Sequence, residues 1–129
     1  PSRRGPLVEA ALQRSPRDPA KGSLLAALGF AQFTVRDYAA AAQTAQAALA
    51  ENADSATPLI ISSIACVGLG QIDKAKATYA RAAAIAPSLV EARLAGKWLS
   101  TNPDYVARAD LFFRIAAGLE KPDAAEKLR

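Results

Sequence analysis

Residues 70–87 read Gly-Gln-Ile-Asp-Lys-Ala-Lys-Ala-Thr-Tyr-Ala-Arg-Ala-Ala-Ala-Ile-Ala-Pro. Gly70 breaks the preceding apolar stretch, Tyr79 and the alanines carry a three-four spacing, and Pro87 stops the run. This stretch has counterparts on either side, at a period of about 34 residues. Ala41, Ala75 and Ala109 share one register, and Ala48, Ala82 and Ala116 share another. Three residues before the first register stand Tyr38, Ile72 and Val106, all apolar or aromatic. The earlier copy adds Leu25, Leu28, Gly29 and Leu49, the middle one Leu59, and the later one Phe113.

The signals around this frame are helical. Leu24, Leu25, Leu28 and Ala31 follow amphipathic helix spacing. Asn102-Pro103-Asp104 supplies an amide N-cap, a Pro at the first helical position and a carboxylate at the positive helix end. Ser88 and Glu91 fit a capping box, and Gly68-Leu69-Gly70 separates two helices. Helices are expected near 6–14, 22–34, 37–51, 56–68, 72–85, 88–100 and 103–118, with a short one from about 122. No segment alternates with period two, so the fold class is all-α.

The pattern resembles the tetratricopeptide repeat, a helix–turn–helix unit of about this length that stacks into a right-handed superhelix. The length argues for one domain over 1–129, of which the resemblance covers about residues 22–123. It holds a partial N-terminal unit at 1–21, repeats at 22–55, 56–89 and 90–123, and a tail at 124–129. Gln32 and Cys66 stand where the family has an aromatic, Ser63 and Lys97 replace small residues, and Arg93 replaces a large apolar one. The six phased alanines are expected where helix axes come closest. In the family, the first helix of each unit lines an inner groove. Carried over, that groove holds Phe30, Phe33, Ile60, Ile64, Val67, Leu94 and Trp98, with Ser23, Ala26, Thr57, Glu91 and Thr101 at the remaining positions. None of these is Lys or Asn, so the terminal-carboxylate clamp of the chaperone-binding subclass is not implied.

Composition narrows the function. The chain has 129 residues and no His, which removes the commonest general base and zinc ligand. Its one cysteine, Cys66, cannot form an internal disulfide and reads as a small core residue. Only eight residues are aromatic, so small side chains must do much of the packing. Phosphate-cradle, dinucleotide and metalloprotease motifs are missing, and Ser62 and Ser63 have no nearby base. The net charge of +4 is accounted for by residues 1–36, without aromatics among the bases before Phe30. A solvated leader fits that better than a nucleic-acid surface. No apolar run is long enough to span a membrane.

The resulting expectation is a non-catalytic protein–protein interaction scaffold without a cofactor or metal. It takes a protein or peptide partner in an apolar groove, as part of a larger bacterial protein. The alternatives are a self-associating module, and the repeat region of a signalling protein such as a winged-helix regulator or a nucleotide cyclase. Three occupants suit the groove: a partner helix or peptide, a second copy, or the chain's own C-terminal segment. The sequence leaves the location open, with the cytoplasm favoured over the periplasm.

Overall fold

The computed structural model describes residues 20–129. The helix expected over 6–14, and nearly all of the partial unit assigned to 1–21, lie outside the described residues. Six α-helices follow in order: α1 (Ala20–Thr34), α2 (Tyr38–Glu51), α3 (Ala56–Gly68), α4 (Ile72–Ile85), α5 (Pro87–Leu94) and α6 (Pro103–Ala116). A 3-10 helix at Pro122–Lys127 comes last, and the described residues contain no strand. The architecture is all-α, with α1 packed on α2, α2 on α3, and α3 on α4.

The first two pairs are closed by the same device. After α1, Arg36 takes φ 66°, its N–H donates to the Phe33 carbonyl at 3.0 Å, and Asp37 N–H donates to Gln32 at 2.9 Å. After α3, Gly70 takes φ 77°, donating to Val67 at 3.0 Å, and Gln71 donates to Cys66 at 2.8 Å. These paired bonds satisfy helix-end carbonyls and reverse the chain within a short turn. Arg36 and Gly70 stand one full period apart, so the period in the sequence is a period in turn geometry.

All six phased alanines are buried. Tight packing is also visible at Gly68, where an added Cβ would lie 2.5 Å from Cγ of Tyr38. A hydrogen there lets the α2 aromatic sit against the end of α3.

The third pair departs from the first two. A helix is expected over 88–100, but α5 stops at Leu94. Gly96 takes φ 85° and donates to the Arg93 carbonyl at 3.0 Å, while Lys97 donates to Ala92 at 3.0 Å. The period would place this capping device at Asp104, and it comes early, at Gly96. The capping box at Ser88 is also corrected: Ala86 is the N-cap, with no side-chain bond. Pro87 sets the start because its ring suits the first helical position. It opens α5 rather than merely closing the preceding unit.

Residues 95–102 then form an irregular connector in which only Trp98 is buried. At its end Asn102 caps α6 as expected, its side-chain oxygen accepting from Asp104 N at 3.0 Å and Tyr105 N at 3.2 Å. The long connector lets α6 leave α5 and lie mainly against α3.

Candidate functional site

The face made by α1 and α3 carries most of the expected groove residues, and α6 lies on it. Phe33, Ile60, Ile64 and Val67 are buried in the core, while Phe30 is half-buried. Leu94, at the end of α5, is half-buried as well. Trp98 is not on a first helix; it belongs to the connector and is 9% exposed. The apolar trough expected from the sequence is covered by the chain's own C-terminal helix, one of the three occupants considered above.

Aromatic contacts show how α6 fits. Phe112 stands edge-on to Phe33 with ring centres 5.8 Å apart, and lies 5.9 Å from Tyr38. Tyr105 meets Phe33 at 5.6 Å and Phe30 at 5.9 Å. Phe113 turns the other way, to Tyr79 of α4 at 5.2 Å and Trp98 at 5.6 Å. Edge-to-face geometry of this kind adds roughly 0.5–1.5 kcal/mol per pair beyond burial itself.

The centre of the contact is polar. Arg108 of α6 is fully buried, and its guanidinium makes five hydrogen bonds. Nη1 donates to the Phe33 carbonyl at 2.8 Å and the Tyr38 hydroxyl at 3.2 Å. Nη2 donates to the Thr34 carbonyl at 2.7 Å and Asp104 Oδ2 at 2.9 Å, and Nε to the same Asp104 oxygen at 3.1 Å. The guanidinium lies over the Phe33 ring, 5.0 Å from its centre. It caps the negative end of α1 from another helix, which stabilises both the carbonyls and the charge. Arg36 Nη2 adds a bond to Asp104 Oδ1 at 3.0 Å. The hydrogen bond from Arg108 holds the Asp104 carboxyl below its ordinary range, and that from Arg36 adds to the effect.

A second arginine repeats the arrangement one period on. Arg129 donates from Nε at 3.2 Å and Nη2 at 3.1 Å to the carbonyl of Val67, near the end of α3. Phe33 and Val67 occupy the same position in successive periods, and each carbonyl receives a guanidinium from the C-terminal part of the chain.

Sequence reasoning missed both arginines. A signal for Arg108 existed: Tyr105, Arg108, Ala109, Phe112 and Ala116 form one buried stripe of α6, with Asp104 one turn before the arginine. A charge inside an apolar stripe, with an acid one turn away, marks a paired buried cation.

The three candidate nucleophiles weighed from the sequence, Ser62, Ser63 and Cys66, are buried. Cys66 is fully buried, and burial pushes its thiol pKa up, away from the reactive thiolate. Ser63 Oγ donates to the Leu59 carbonyl at 2.9 Å, whereas Ser62 Oγ is buried without a partner. Among the described residues no three His, Cys, Asp or Glu side chains gather closely enough to hold a metal ion, and no helix is long and apolar enough to cross a membrane. Comparison with protein families, with curated proteins and with solved structures found no match.

Proposed function

We propose that this chain is a non-catalytic protein–protein interaction scaffold, built as a short stack of tetratricopeptide-like helix pairs. The shared turn geometry at Arg36 and Gly70 and the six buried alanines support the repeat reading. The observation that carries the function is α6 on the α1–α3 face, where an amphipathic helix is held by aromatic anchors and by capping of a helix end. Helix-in-groove recognition uses these elements between chains. With α6 in place, the accessible part of the expected site contracts to the half-buried Phe30 and Leu94.

Affinity capture with the intact chain tests this, followed by capture with Phe30→Ser and Leu94→Ser. The reading expects a partner that both substitutions release, with the helical signal and melting cooperativity retained. Partners held equally by both variants would place the working surface elsewhere.

A further inference from the structure

We propose that the outer face of α1 is an interaction surface for the chain's own N-terminal segment, with residues 6–14 as its occupant. The inference takes its register from the repeat reading and goes beyond it in assigning an occupant to a face that α6 does not cover. Leu24, Ala27, Leu28 and Ala31 follow the three-four spacing of one helix face. Leu24 and Leu28 are only half-buried and both alanines are exposed, while α1 turns Leu25, Gly29 and Phe33 inward. One period later the same face is closed. Pro58, Ile61, Ser62 and Ala65 of α3 stand 34 residues after those four, and all are buried. The difference is one helix. α3 packs on the helix before it in the chain, α2, whereas among the described residues α1 has no helix before it.

The sequence offers that helix. Positions 4–17 lie one period before Tyr38–Glu51, the span of α2. Leu7 and Ala11 precede by that period Ala41 and Ala45, which α2 buries. Val8 and Leu12 widen the same apolar side, with Glu9 and Gln13 opposite. Nine helical residues reach about 14 Å, enough to cover the stripe from Leu24 to Ala31, about 11 Å along the axis. Residues 15–19 make the link, one residue more than the four that join α2 to α3. Removing Leu24 and Leu28 from water drives the docking. The segment closes this end of the stack and leaves partner capture to the surface around Phe30 and Leu94.

Thiol labelling of the full chain tests this. Ala27→Cys and Ala31→Cys are compared with Ala80→Cys, an exposed position of α4, while Cys66 is buried and spared. Both α1 positions are expected to label more slowly than position 80 by about tenfold or more, and to gain its rate when Ala11→Pro breaks the docking helix. In the unaltered chain, nuclear Overhauser cross-peaks from the Leu28 methyls to the side chains of Leu7 or Val8 are expected as well. Labelling as fast as at position 80 overturns the proposal, and so does the absence of those cross-peaks. Protection that survives Ala11→Pro also overturns it and assigns the face to another occupant: a second copy where sedimentation shows a doubled mass, another segment of the chain where it does not. Capture through Phe30 and Leu94 concerns a different face, so its failure and this one are read separately.

Discussion

Arg108 Nη1 donates to the carbonyl oxygen of Phe33 at 2.8 Å, joining positions 75 apart in the chain. Through this bond α6 closes the end of α1, and the position of α6 decides what remains open on the α1–α3 face. Replacing the side chain by Leu keeps apolar bulk but leaves the Thr34 carbonyl without its partner and the Phe33 carbonyl with only the Arg36 N–H. Arg108→Leu is expected to cost about 1–3 kcal/mol, because a buried acceptor left unpaired loses its full solvation. Urea unfolding checks this, and a loss below about 1 kcal/mol would show the network to be dispensable.

Two glycines should respond in opposite directions. A Cβ at Gly68 would strike the Tyr38 ring, so Gly68→Ala is expected to destabilise by about 1–3 kcal/mol. Gly22 lies in α1 with nothing within 4 Å of an added Cβ. There Ala lowers the backbone entropy lost on folding and should stabilise by about 0.5–1 kcal/mol. Thermal melts of the two variants, side by side, test the packing of α2 on α3.

The acid response should depend on Asp104. Folding lowers its pKa, so the native state keeps the carboxylate more readily than the unfolded chain does. Its contribution is complete above the ordinary value of 3.8 and is lost as pH falls through the lowered one. Asp104→Asn is therefore expected to be less stable near neutral pH, with a shallower loss of stability below about pH 4. Denaturant titrations across that range check the slope; an unchanged slope would separate Asp104 from acid unfolding.

The repeat period made the first two helix pairs legible, down to boundaries at 56–68 and 72–85 that coincide with α3 and α4. The third pair was harder to read because its decisive residue is Gly96. A lone glycine inside an Ala-rich amphipathic run looks tolerable, yet it admits the left-handed conformation that ends α5. Once α5 ends there, Trp98 leaves its expected helical register and α6 is free to cover the groove. Burial of Phe33, Ile64 and Val67 follows from that one turn, and no local pattern at those residues announces it. The groove positions were legible as apolar; their occupant was not.

Cys66 offers a separate check on the core. Its thiol is fully buried and its pKa is raised by burial, so thiol reagents should fail to label it in the native state and label it fully in denaturant. Rapid native labelling would mean that α3 is not enclosed by α2, α4 and α6.

The most direct measurement is a set of nuclear Overhauser contacts from the Phe112 ring. With α6 on the α1–α3 face, cross-peaks are expected to both Phe33 and Tyr38, whose ring centres lie 5.8 and 5.9 Å away. Phe112 cross-peaks confined to α4 and α5, with none to Phe33 or Tyr38, would contradict the account and leave the α1–α3 face without its cover.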